Sequence, residues 1–240
     1  MSATPATERF DVIAFGAHPD DLEMSIAGTI ARLTKGGRSV LMVSLTRGEA
    51  STHGDPETRE KEAAEAARIL GARHLLLDFP DTRVENSYDG RLVLARLVRR
   101  HRPSLVLAPY HTNPGTHRDG RANSDHMATG ALARDALKLA RFRRILPEME
   151  PHEVRRILYY IPPAGQLPRF VVDVSDEEET LTRAIQAYRT QMAIQRQENP
   201  IFELLTVMRR SYGVLIGKRL GEGFTTDEAL EAAPEDLFRL

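Results

Sequence analysis

The chain has 240 residues, 33 Lys and Arg against 34 Asp and Glu, a formal net charge of -1 and no cysteine. So even a charge balance gives no global field to draw nucleic acid. The absence of thiols excludes both a disulfide framework and a thiolate metal site, so any metal has to be held by His and carboxylate.

From the N-terminus, MSATPATERF has neither a basic segment nor an apolar run, so it does not read as a signal peptide. Phe10–Phe15 reads as a buried strand ending at Gly16, and Leu22–Lys35 as a helix with Leu22, Ile26, Ile30 and Leu33 on one face, stopped by Gly36-Gly37. Ser39–Leu45 is the second strand. Asp55-Pro56 then sets an N-cap before a proline at the first helical position, and the helix runs to Gly71 with Glu57 and Lys61 as an i,i+4 pair. His74–Leu77 is the third strand, Arg91–Arg100 a helix closed before Pro103, Leu105–Ala108 the fourth strand and Asp125–Arg141 a further helix. Strands that alternate with helices predict an α/β fold, Rossmann-like, with a mostly parallel sheet and helices on both faces. Beyond it, Arg156–Tyr160 and Phe170–Val174 read as strands, and Glu177–Arg196 and Pro200–Leu220 as two helices, so a single domain over 1–240 with a helical C-terminal extension is expected. The longest apolar runs, such as Val40–Val43 and Leu105–Pro109, are too short for a bilayer, and a cytoplasmic protein is expected.

In an open parallel sheet, ligands bind beyond the carboxyl ends of the strands. The residues that follow the strands there are polar and ionisable: His18-Pro19-Asp20-Asp21, Thr46-Arg47-Gly48-Glu49, Asp78-Phe79-Pro80-Asp81, and the loop from Tyr110 to Ser124 that leads to Asp125-His126. His18 and its two neighbouring carboxylates suit a zinc site with three protein ligands and an open position, one Asp as ligand and the other as base. Local spacing leaves open which is which, and a helix-capping role for either Asp is equally compatible with it. The remaining ligand lies among His111, His117 and His126, with His126 best placed at a helix start; His53, His74, His101 and His152 sit in off-edge contexts. Two other chemistries share parts of the pattern. His18-x-Asp20 with a distant His is also the donor set of non-haem iron oxygenases, and a doubly wound sheet can bind a nucleotide, although no G-x-G-x-x-G follows the first strand.

FGAHPDD at the first strand end, LTRGE, the helix ETREKEAAEAARILG and a downstream Asp-His resemble the LmbE-like (PIG-L) deacetylase family, and the tail YGVLIGKRLGEGF is similar to its bacillithiol-biosynthesis branch. The resemblance runs from Phe10 to about Phe224. It implies a zinc-dependent hydrolase that removes the N-acetyl group of an N-acetylglucosamine conjugate, with one Zn2+ per chain held by His18, Asp21 and His126. Asp20 is then the general base, and Arg59 and Glu49 contact the sugar. The expected partner is a small amino-sugar substrate, with no nucleic acid and no membrane, and related proteins often form homo-oligomers. One departure stands out. The family pattern His-Pro-Asp-His is here Asn123-Ser124-Asp125-His126, so Asn123 can donate a hydrogen bond but cannot deliver a proton. His117, or His111, is expected to supply the missing imidazole. The alternative readings are a member with altered or lost catalysis, or a deacylase acting on another amino-sugar conjugate.

Overall fold

The computed structural model describes residues 8–113, 123–163, 165–192, 194–196 and 199–229. Five parallel strands, β1 (Val12–Gly16), β2 (Val40–Ser44), β3 (Arg73–Leu76), β4 (Leu105–Pro109) and β5 (Arg156–Tyr160), form one sheet in the order β3-β2-β1-β4-β5. The strand order reverses between β1 and β4, which puts a crevice at their carboxyl ends.

Residues alternate across the sheet with the period of a strand. Val12, Ala14, Val40, Met42 and Leu107 face α1 (Asp21–Lys35) and the C-terminal helices, while Ile13, Phe15, Leu41, Val43 and Val106 face α3 (Tyr88–His101) and α4 (Ser124–Arg141). Both sides of β1 and β2 are therefore buried, and their sequences are continuous apolar runs rather than alternating ones. Helix α2 (Pro56–Ile69) starts as its sequence requires: Asp55 accepts the Thr58 N–H at 2.8 Å and Pro56 occupies the first turn. Helix α3 begins earlier than its apolar spacing indicates, because Ser87 caps it by accepting the Gly90 N–H.

The C-terminal part departs from two uninterrupted helices. The stretch expected as one helix over 177–196 is a 3-10 turn at Ser175–Glu177, α5 (Glu178–Gln186), the short α6 (Arg189–Met192) and β7 (Gln195–Arg196), which pairs with β8 (Asn199–Pro200). The break falls where Tyr188 is drawn into the core to donate its hydroxyl to Glu23 at 3.0 Å. Helix α7 covers Ile201–Leu215 and stops before Gly217, whose φ of 65° is left-handed. The chain then forms β9 (Gly221–Phe224), antiparallel to β6 (Phe170–Asp173), and Thr225 bridges to Tyr159 of β5. A side chain at Gly221 would meet Val171 and the backbone of Tyr212 and Gly213, so this strand needs its glycine.

Helix α1 is kinked at Ile26, whose φ of -139° is not helical. The backbone groups freed there are taken up from the C-terminal segment. Glu222 accepts the Gly28 and Thr29 N–H groups at 3.0 and 2.7 Å, and Arg209 donates to the carbonyls of Glu23 and Met24 and to Glu222 at 3.0 Å. Both side chains are buried, so the pair is fully hydrogen-bonded where water cannot replace either partner. No helix among the described residues is long and apolar enough to cross a membrane.

Candidate active site

The site is built on the turn from β1 into α1. Gly16 lets the turn close, since a side chain there would press on Asp21 and Leu22. His18 donates its backbone N–H to Asp21 Oδ2 at 2.8 Å, so the turn is folded onto the carboxylate it displays. Asp20 stands at the N-cap position of α1 but makes no capping bond, and its φ of 116° is a strained backbone for a residue with a side chain. The capping role open to Asp20 from sequence alone is thus not the one it takes.

Asp21 lies between two imidazoles. His126 Nε2 is 2.9 Å from Oδ1, His18 Nδ1 is 3.4 Å from Oδ2, and the ring centroids are 5.4 Å apart. His126 comes from the first turn of α4, across the crevice between β1 and β4. Donor atoms of His18, Asp21 and His126 all lie within 4.8 Å of one another. Of the three candidate histidines, the structure brings His126 to His18 and Asp21. Burial opposes ionisation of Asp21, but His126 and His18 outweigh it and hold the carboxyl well below its usual range. Burial likewise opposes the imidazolium of His18, yet Asp21, Asp125 and Asp81 around the ring push it up to about 12. An imidazole nitrogen from each of His18 and His126 and a carboxylate oxygen of Asp21, in so negative a field, form a donor set that suits a dication and leaves one position of a four-coordinate zinc open.

Asp20 faces a different partner. Arg59 of α2 is 3 % exposed, lies with Nη2 3.2 Å from Asp20 Oδ1, and also donates to the carbonyls of Pro19 and Gly48. Arg59 is therefore no surface arginine: it ties the His18–Asp21 turn to the loop after β2. Burial pushes Asp20 up to about 7, with Arg59 the largest effect working against that rise. Close by, burial pushes Glu23 up to about 8 despite the Tyr188 hydroxyl it accepts.

Other sequence candidates fall elsewhere. The side-chain oxygen of Asn123 caps α4, accepting the N–H of Asp125 at 2.9 Å and of His126 at 3.4 Å, which leaves its NH2 group as the remaining donor. Glu49 accepts the Asp81 N–H at 2.8 Å through Oε1. His111 Nε2 is 2.6 Å from Asp227, and its ring stacks on Tyr110. His117 lies outside the described residues. Sequence reasoning missed Asp81 as a contact of His18. In the structure His18 Nε2 is 3.1 Å from Asp81 and 3.4 Å from Asp125, whose Oδ2 also accepts the Thr82 N–H at 2.7 Å. The only signal for Asp81 was its place after β3 at the carboxyl edge of the sheet.

Comparison with known proteins gives a family and a matching fold. A family model described as PIG-L: GlcNAc-PI de-N-acetylase matches residues 13–137. The diacetylchitobiose deacetylase of Thermococcus kodakarensis is 29 % identical over 229 residues, covering 88 % of this chain and 81 % of that protein. Among solved structures, a conserved protein of Thermus thermophilus superposes with a TM-score of 0.82 at 35 % identity, covering 94 % of this chain and 98 % of its own. An N,N'-diacetylchitobiose deacetylase from Pyrococcus horikoshii, solved with an inhibitor, gives 0.80 at 28 % identity, covering 89 % and 82 %.

Proposed function

Because the chain belongs to the family of the PIG-L GlcNAc-PI de-N-acetylases, we propose that it hydrolyses the acetamide of an N-acetylglucosamine conjugate, with one zinc ion per chain held by His18, Asp21 and His126. The observation that carries this reading is the arrangement of adjacent carboxylates: Asp21 is clasped by His18 and His126, while Asp20 turns away from them to Arg59. Adjacent side chains thus divide the work of ligand and base. The names of the chitobiose deacetylases among the relatives support an acetylated amino sugar as substrate.

A zinc ion in this position would polarise the acyl oxygen and make water a nucleophile near neutral pH. Asp20 takes the proton of the attacking water, and the water oxygen bonds to the acyl carbon. The carbon–nitrogen bond then breaks while Asp20 returns that proton to the departing amine, which leaves acetate and the free amino sugar. Burial raises Asp20 above the usual carboxylate range and so strengthens it as a base, while Arg59 limits the rise. Arg59 holds Asp20 in its strained position, so its contribution starts with the base, whatever contact it also makes with the sugar. The NH2 group of Asn123 donates to the oxygen on which negative charge develops. With that group unable to give up a proton, Asp20 carries the proton transfers among the described residues.

The test is a deacetylation screen of purified protein against N-acetylglucosamine, N,N'-diacetylchitobiose and N-acetylglucosaminides with varied aglycones, with metal analysis of the same sample. We expect release of acetate and about one zinc per chain. Protein loaded with zinc that turns over none of the panel would favour a member that has lost this catalysis through the change at Asn123.

A further inference from the structure

We infer that Asp81 is a positioning residue of the metal centre, which holds the ring of His18 by accepting its Nε2–H and so presents the Nδ1 lone pair to the metal. This rests on the reading of His18, Asp21 and His126 as ligands and adds a residue for which neither family nor sequence pattern gave a role. An imidazole can offer a metal only one nitrogen. Which one it offers is decided by where the other nitrogen places its proton. His18 Nδ1 faces Asp21 at 3.4 Å, on the side of His126, and Nε2 faces Asp81 Oδ1 at 3.1 Å.

The two oxygens of Asp81 have separate roles. Oδ2 accepts the Ala50 N–H at 2.9 Å, which leaves Oδ1 for His18, and the backbone N–H of the same residue is fixed by Glu49 at 2.8 Å. The carboxylate is thereby braced by the loop after β2 while sitting on the loop after β3. Its side chain is only 6 % exposed, so water does not compete for the ring. Asp125 is less suited to hold the ring, because it lies 3.4 Å from Nε2 and the oxygen concerned already takes the Thr82 N–H at 2.7 Å. The LTRGE segment thus reaches the metal ligand through Asp81, with Glu49 bracing the brace.

The experiment measures zinc affinity rather than turnover. Metal-free parent, Asp81→Ala, Asp81→Asn and His18→Ala are titrated with zinc against a chromophoric chelator, with circular dichroism of each metal-free form and the visible spectrum of each cobalt-loaded form. We expect Asp81→Ala to bind one equivalent about 10- to 100-fold more weakly than the parent, the usual cost of removing such a partner. Asp81→Asn should lose less, because its amide oxygen still accepts the Nε2–H. The folded spectrum should not change, and the cobalt spectrum should remain that of a four-coordinate site. Parent-like zinc affinity in both Asp81 variants would overturn the inference, as would a second equivalent of zinc that disappears with Asp81→Ala, which would make Asp81 a ligand. An increase in KM with unaltered metal affinity would also overturn it and move Asp81 to the substrate. Zinc binding by His18→Ala at parent strength would instead overturn the ligand reading itself.

Discussion

At the scale of single residues, the site depends on a carboxylate kept out of water and on the arginine that restrains it. Asp20 must be ionised to accept a proton, and it is pushed up to about 7 by burial. A zinc ion held by the adjacent Asp21 would pull Asp20 down again, so the acidic limb of kcat/KM should fall below pH 7. Arg59 opposes that rise, so Arg59→Gln should move the limb to higher pH as well as lower kcat/KM; a role confined to sugar contact would raise KM and leave the limb in place. Asp20→Asn, which keeps shape but not basicity, should cost two to four decades of turnover, on the order expected for general base catalysis, while zinc content stays at the parent level. Asn123 allows a cleaner separation, because its two ends do different jobs. Asp caps a helix about as well as Asn. Asn123→Asp should therefore keep the cap on α4 and the Tm, yet lower kcat by about 10²–10³ if the NH2 group faces the developing oxyanion. Unchanged kcat in Asn123→Asp would reduce Asn123 to a capping residue. The clustering of His18, Asp21 and His126 was legible from residue types and family pattern, because HPDD and the downstream Asp-His are each short local motifs. The contacts of Asp81 and Asp125 with His18 were not, since they join residues 63 and 107 positions apart (81-18 and 125-18) through the packing of three loops.

At the scale of elements, what could be read from sequence ended where local periodicity stopped deciding structure. Strands β1 to β4 and their helices follow from continuous apolar runs, caps and stops that lie within a few residues of each other. The C-terminal helices do not. Tyr188 interrupts the first because its hydroxyl finds a buried carboxylate 165 positions away, and β9 forms from a glycine-rich stretch only because β6 is there to pair with it. Helix α1 shows the same dependence. Its kink is sustained by Glu222 and Arg209, which supply from another part of the chain the bonds that the helix gives up. Glu222→Gln leaves the Arg209 charge buried without its carboxylate, a loss on the order of 3–5 kcal/mol, or a fall in Tm of about 10 °C for a chain of this size. Lys61→Ala breaks the exposed, solvent-screened pair with Glu57 and should leave the Tm almost unchanged. Thermal melts of both variants decide the matter: equal shifts would mean that the buried pair does not hold α1.

At the scale of the whole molecule, the segment that sequence presents as an extension is part of the core that carries the site. Ile201, Leu205, Leu220 and Phe224 are buried in the same cluster as Val12, Ala14, Leu22 and Ile26, and so lie behind the turn that displays His18 and Asp21. Strand β9 pairs with β6, and Thr225 joins the edge of the main sheet at Tyr159. His126 is far from His18 and Asp21 in sequence, so their cluster exists only in a chain whose β1–β4 crevice has closed. These connections predict the fate of a chain that ends at residue 199. An appended helical unit could be removed and leave a sheet that still melts cooperatively and binds zinc. Removal of α7 and β9 instead exposes one side of the apolar cluster around α1 and leaves the Gly28 and Thr29 N–H groups without their acceptor. Stability is a small difference between large terms, so losses of this kind exceed what a domain can spare. The shortened chain should show no cooperative transition by circular dichroism, should bind a hydrophobic dye such as ANS, and should take up no zinc in the competition titration. A shortened chain with a sharp transition and parent-like zinc affinity would show instead that the sheet and its metal site stand without the C-terminal segment.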